Sequence, residues 1–215
     1  MVIIGLTGSI AMGKSTAANA LRRMGLPVHD ADKVVHELQG PNGDALPAIE
    51  KAFPGTTGPD GVDRGRLRQL AYDDPTCLSK LETILHPLVR ERERRFLARC
   101  ARRGEPVVVL DIPLLYETGA EVRCDLVAVV SAPGFIQRAR VLRRPGMTVS
   151  TLKAILDRQT PDVEKRRRAD LVIPTGLSRG HALKSVMRLV TVARNHPGGA
   201  WPPNPYRTKG PNRHA

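Results

Sequence analysis

The chain has 215 residues, 41% hydrophobic but only 3% aromatic, and 34 Lys and Arg against 21 Asp and Glu give a formal net charge of +13. That length suits one α/β domain with insertions rather than two full domains, and its core must be filled by Leu, Val, Ile and Ala instead of rings. No apolar run approaches the roughly 20 residues needed to span a bilayer, which excludes a membrane-spanning class.

Residues 2–6 form an apolar run of buried-strand type; it is short, lacks a basic leader and enters glycines at once, so it is no signal peptide. Residues 14–24 read as a helix ended by Gly25, and 26–29 as a short strand leading into Asp30-Ala31-Asp32. A helix follows to about Leu38, then loops at Gly40-Pro41-Asn42-Gly43 and through the Gly/Pro/Asp cluster of 54–65. Residues 66–103 are helical in pattern, interrupted at Pro75 and at Pro87, the latter suiting the first turn of a helix. Residues 107–110 and 126–130 are buried strands, 134–144 and 149–158 helices, 171–173 a last strand and 183–193 a last helix.

Strands alternating with helices predict an α/β fold with a parallel sheet covered on both faces. The helical block 33–103 is too long for one crossover and reads as an inserted substrate-binding subdomain. Beyond Asn195 the chain is rich in Pro and Gly, carries Arg207, Lys209 and Arg213 without an acid, and is expected to be a disordered basic tail over 196–215. Cys77, Cys100 and Cys124 are odd in number and form no CxxC pair, so reduced buried thiols and a cytoplasmic location are expected.

A basic chain attracts polyanions, which makes nucleic acid the first alternative partner. Three Phe and three Tyr supply few rings to stack on bases, and nucleic acid is not the expected partner. Most of the arginine clusters, and Lys165-Arg166-Arg167-Arg168 in particular, read as solvated helix faces, leaving a minority of cations for phosphorylated small molecules.

Gly8-Ser9-Ile10-Ala11-Met12-Gly13-Lys14-Ser15 fits G-x-x-x-x-G-K-[ST] between a buried strand and a helix. Glycines let the backbone curl so that several N–H groups face one phosphate, aided by the helix N-terminus. The loop and the following Thr16 are therefore expected to bind ATP, with Lys14 on the β- and γ-phosphates and the Ser15 hydroxyl on Mg²⁺. Asp111 ends a buried strand, where a phosphate-loop protein places a carboxylate near Mg²⁺. Ile112, not Glu, follows it, and no [NT]-K-x-D occurs, which argues against a motor ATPase and a GTPase.

Asp30-Ala31-Asp32 follows the second strand at the carboxyl edge of the sheet. A carboxylate there takes the proton of an acceptor hydroxyl as phosphoryl transfer proceeds; Asp32 is the expected base, and Asp30 has helix capping as its alternative. Gln137, Arg138, Arg140, Arg143 and Arg144 occupy lid territory, where arginines neutralise charge developing in transfer. His86, before Pro87, is either a helix-start cap or a ligand contact, and the other histidines show no metal-ligand spacing. These residues describe a P-loop kinase for a small hydroxyl-bearing metabolite. The alternatives are another small-metabolite or nucleotide kinase, such as a shikimate-type enzyme, and a nucleic-acid-binding protein on a phosphate-loop fold.

Over about residues 2–193 the chain resembles the dephospho-CoA kinases. The matching segments are Gly5-Leu6-Thr7-Gly8 with the phosphate loop, Asp30-Ala31-Asp32, Leu85-His86-Pro87-Leu88 and Asp111-Ile112-Pro113-Leu114-Leu115-Tyr116-Glu117. Gln137-x-x-Arg140, Arg158-Gln159 and Lys165 leading to Ala169-Asp170 complete the series. The resemblance implies dephospho-CoA as acceptor through its 3′-hydroxyl and MgATP as donor; a monomer or weak oligomer is expected. It implies a core of about 1–32, 104–136 and 169–195, a substrate subdomain of about 33–103 and a lid of about 137–168. It further implies Asp32, Lys14 and Arg140 in catalysis, and His86, Leu115 and Glu117 at the acceptor pocket. Two positions depart: Ser9 replaces the second glycine of a Gly-Gly pair, and Ile173-Pro174-Thr175-Gly176 replaces an Ile-x-Asn-x-Gly segment near the adenine.

Overall fold

The computed structural model describes residues 1–73 and 76–203. The chain divides into two compact units, Met1–His29 together with the chain from Cys100 onward, and Asp30–Arg99.

The first unit is built on strands β1 (Val2–Thr7), β2 (Val28–Asp30), β5 (Val107–Asp111), β6 (Leu126–Ser131) and β7 (Leu171–Pro174), in the order β2-β5-β1-β6-β7. The pairs β1/β5, β1/β6 and β6/β7 are parallel, with Ile4 opposite both Val109 and Leu126. Every residue of β1, β5 and β6 is buried, the mark of strands covered on both faces. Ile4, Leu6, Val109 and Val130 share one core with Leu21 of α1 (Lys14–Arg23) and Leu189 of α9 (Arg179–Arg194). Between β6 and β7 run α6 (Gly134–Leu142), α7 (Val149–Leu156) and α8 (Asp162–Arg168). Asp125 precedes β6 and fixes the start of the sheet, its buried carboxylate accepting from the amide of Ile3 at 2.8 Å.

The second unit holds α2 (Ala31–Leu38), α3 (Leu46–Ala52), the hairpin β3 (Thr57–Gly58) and β4 (Gly61–Val62), α4 (Arg64–Asp73), and most of α5 (Cys77–Arg102). Its own core gathers Leu38, Ile49, Phe53, Leu67 and Leu85.

Two expectations change. Pro87 does not start a helix: it lies inside the 26-residue α5. It sits on an exposed face, where a bend is accommodated without disturbing the core. Pro75 lies outside the described residues. The tail, expected to be loose from 196, remains attached at first. The Ala200 amide donates to Asp125 Oδ1 at 2.8 Å, Ala200 is buried, and Gly198 passes against the backbone of Met1. The rest of the tail, 204–215, lies outside the described residues.

Candidate active site

Between β1 and α1 the chain turns through residues 8–13. A side chain at Gly8 would meet the Val130 carbonyl oxygen at 2.6 Å, so β6 allows only glycine there. Gly13 has φ +95° at the start of α1, and Ala11 has φ +59°, a conformation that costs an L-residue about 1–2 kcal/mol. No side chain caps the N-terminus of α1 and no acid lies in its first turn; the Thr16 and Ala17 amides donate to the Gly13 carbonyl, which leaves the Lys14 and Ser15 amides for an anion. Ser15 and Thr16 are exposed on that turn.

The outward side of the loop is held by side chains. Gln137 Nε2 donates to the Ile10 carbonyl at 3.0 Å, Arg140 Nη1 to the Ala11 carbonyl at 3.4 Å, and Thr175 Oγ1 to the Met12 carbonyl. The Ile10 amide donates to Gln159 Oε1 at 3.3 Å. Met12 itself is buried, and its sulfur accepts from the Ala132 amide at 3.1 Å, which pins the loop to the end of β6. Arg140 also donates to Thr175, at 3.2 Å to the hydroxyl and 2.6 Å to the carbonyl.

Lys14 Nζ lies 2.6 Å from Asp111 Oδ1. The carboxylate is 3% exposed at the end of β5, so the pair is shielded from water and fixes the ammonium beside the loop. A cavity of about 710 Å³ opens beside Met12, walled by Phe135, Ile136, Pro174 and Leu177. Phe135 and Leu177 are 75% and 77% exposed, large apolar surfaces with nothing packed over most of them.

Glu117, expected at the acceptor pocket, accepts from the Thr160 amide at 2.8 Å and lies 2.8 Å from Lys165 Nζ. Burial works to raise its carboxyl, but the Lys165 ammonium and the amide bonds outweigh it and hold Glu117 below its ordinary value of 4.5. Lys165, read in sequence as surface, is fully buried. On α8 its neighbours Arg166 and Arg167 are exposed while Lys165 turns inward, and the ion pair makes that burial tolerable. Leu115 is also fully buried, against Gly5 of β1. Between them, burial pushes the Tyr116 phenol up, opposed by the Arg168 guanidinium stacked 4.2 Å from the ring centre.

In the second unit, Asp30 caps α2 by accepting from the Lys33 amide at 3.0 Å, while Asp32 is exposed in the first turn of the same helix. His86 is exposed in the middle of α5, which removes its reading as a helix-start cap. No group of three or more His, Cys, Asp or Glu suited to a metal occurs among the described residues, and no helix there is long and apolar enough to cross a membrane.

Sequence reasoning named Lys14, Asp111 and Arg140 and missed what Gln137, Gln159, Thr175 and Lys165 do. The Gln-x-x-Arg and Arg-Gln segments marked two of these positions without giving them a role. Thr175 stood out only as a departure from a pattern, and a run of four cations concealed the single inward-facing one.

Residues 2–178 match the family model described as Dephospho-CoA kinase (CoaE). A dephospho-CoA kinase of Rhodospirillum rubrum is 54% identical over 195 residues, 90% of this chain and 92% of that protein. The crystal structure of TT1252 from Thermus thermophilus superimposes with a TM-score of 0.75 at 33% identity, over 89% of this chain and 96% of that one. The dephospho-CoA kinase from Campylobacter jejuni shares the fold with a TM-score of 0.67 at 23% identity, over 90% and 97% of the two chains.

Proposed function

The chain belongs to the dephospho-CoA kinase family, and we infer that it performs that family's reaction with the residues described above. It is an ATP-dependent phosphotransferase of coenzyme A biosynthesis that phosphorylates dephospho-CoA. The γ-phosphoryl group passes to the 3′-hydroxyl, leaving CoA and ADP. The observation that carries the reading is the fixed phosphate loop, with Lys14 held on Asp111 at its mouth.

In this reading the amides of Gly13, Lys14 and Ser15 and the Lys14 ammonium bind the β- and γ-phosphates, with Thr16 on the same turn and the rest of the loop 8–13 held around them. The cavity at Phe135 and Leu177 takes the adenine between apolar walls. Asp32, exposed and not engaged in capping as Asp30 is, takes the proton of the acceptor hydroxyl. That oxygen bonds to the γ-phosphorus as the bond from phosphorus to the β,γ-bridging oxygen breaks. Arg140 supplies positive charge where the loop ends, balancing the negative charge that moves toward ADP. His86 is proposed as an acceptor contact. Glu117 and Leu115 serve the acceptor side by shaping the loop after β5, since one is paired with Lys165 and the other is buried.

Magnesium fits the donor set: the Asp111 carboxylate and the Ser15 hydroxyl are hard oxygen ligands, few enough for an ion that keeps water and substrate phosphate in its shell. Bound there, it would neutralise charge on the β- and γ-oxygens.

An acceptor panel tests the assignment. With MgATP, ADP should form with dephospho-CoA and not with shikimate or AMP; turnover of either of those alone would move the chain to another acceptor class.

A further inference from the structure

Thr175 touches more of the nucleotide machinery than any residue assigned to it. Its hydroxyl donates to the Met12 carbonyl, accepts from Arg140 Nη1 at 3.2 Å, and has the Ser131 carbonyl 3.3 Å away. Its own carbonyl accepts from Arg140 Nη2 at 2.6 Å, and its amide donates to Ser131 at 2.8 Å, continuing the line of β7. Its methyl carbon fills the space a side chain at Gly13 would need, 3.3 Å from that position. One residue thus joins the phosphate loop, the end of β6 and the lid arginine.

A peptide unit presents its N–H and C=O in opposite directions. Holding the Met12 carbonyl outward therefore turns the Gly13 amide inward, toward the place an anion would take. Without a donor on that carbonyl, the unit is free to rotate, because Gly13 tolerates either sense. The same hydroxyl and carbonyl keep the Arg140 fork at the loop, so its charge is in place before a nucleotide arrives. Preorganisation of this kind lowers the cost of binding.

We propose that Thr175 is a positioning residue for the nucleotide: its hydroxyl locks the Met12–Gly13 peptide with its amide toward the β-phosphate and fixes Arg140 at the loop. The proposal rests on the nucleotide site described above. A hydroxyl on a β-branched stem donates, accepts and packs at once, and β-branching suits the extended backbone at the end of β7.

The test is titration calorimetry of the full chain with ADP and magnesium chloride, with no acceptor present. Loss of the neutral bond to the Met12 carbonyl, about 1 kcal/mol, corresponds to roughly fivefold in Kd, and loss of the bond accepted from Arg140 raises that toward about tenfold. Thr175→Val, which keeps the shape and loses the hydroxyl, should weaken ADP by about that factor while melting within a few degrees of wild type. Thr175→Ser, which keeps the hydroxyl and loses the methyl, should bind within about twofold. Thr175→Ala carries the same expectation as valine and replaces it if valine does not fold. Wild-type affinity in the hydroxyl-free variant, or a serine variant as weak as it, would overturn the proposal. Failure of the wild-type chain to bind ADP would instead sink the nucleotide reading beneath it, and a wrong acceptor would leave this result standing.

Discussion

Asp30 and Asp32 stand two residues apart and have different work. The carboxylate of Asp30 holds the Lys33 amide at the head of α2, whereas Asp32 is exposed within the first turn of the helix. Asp30→Asn keeps an acceptor for that amide, so stability and rate should change little, since Asn and Asp cap almost equally well. Asp32→Asn should leave ADP affinity intact and lower kcat by about 10²–10⁴, the range for losing a positioned general base. Steady-state kinetics beside calorimetry checks both variants. Equal losses in the two, or a loss confined to nucleotide affinity, would contradict the division. At this scale the sequence was legible where chemistry requires a residue type in a fixed register, as for Gly13, Lys14 and Asp111. It was opaque where a role depends on a partner far along the chain: Thr175 meets Met12 across 163 residues, Lys165 meets Glu117 with α6 and α7 between them in the chain, and neither pairing leaves a periodic trace.

The loop after β5 is tied to α8 by the pair Glu117–Lys165, whose side chains are 15% and 0% exposed. Removing one partner of a buried pair typically costs about 3–5 kcal/mol, because the other charge is left without compensation. Glu117→Gln should therefore melt well below wild type at neutral pH. Because Glu117 titrates below 4.5 in the folded chain, its contribution is complete above that value and is lost as pH falls through the folded pKa. The difference in melting temperature between wild type and Glu117→Gln should accordingly shrink as the pH is lowered below 4.5. A difference that stays constant with pH would show that the ion pair contributes nothing. The end of the chain gives a second prediction for an element. Deleting 196–215 should lower the melting temperature by several degrees more than deleting 204–215 does. The longer deletion removes the Ala200 amide from the buried Asp125 carboxylate, a bond to a charged group worth about 1.5–3 kcal/mol. Equal melting of the two truncations would show that residues 196–203 contribute nothing to the fold. Composition could mark this stretch as rich in Pro and Gly, but not that its backbone still has a buried acceptor waiting.

At the scale of the whole molecule, hydrophobic runs were the most legible feature. Strands buried on both faces read as continuous apolar segments, and the residues at 2–6, 107–110 and 126–130 gave the centre of the sheet within a residue or so of β1, β5 and β6. The long α5 was harder, because Pro87 reads as a boundary until the exposure of its face is known. The charge of +13 is carried in part by exposed arginines of α5, two of which, Arg94 and Arg95, pair with Glu91 on the same helix. Such pairs add little stability and need no polyanionic partner to account for them. As a whole the molecule makes CoA by phosphorylating one particular hydroxyl. The direct measurement is to incubate the purified full chain with MgATP and dephospho-CoA and to locate the added phosphate in the product by tandem mass spectrometry. A single product identical to CoA is expected, with the phosphate on the 3′-oxygen of the ribose; no phosphorylated product, or phosphate at any other position, would contradict this reaction.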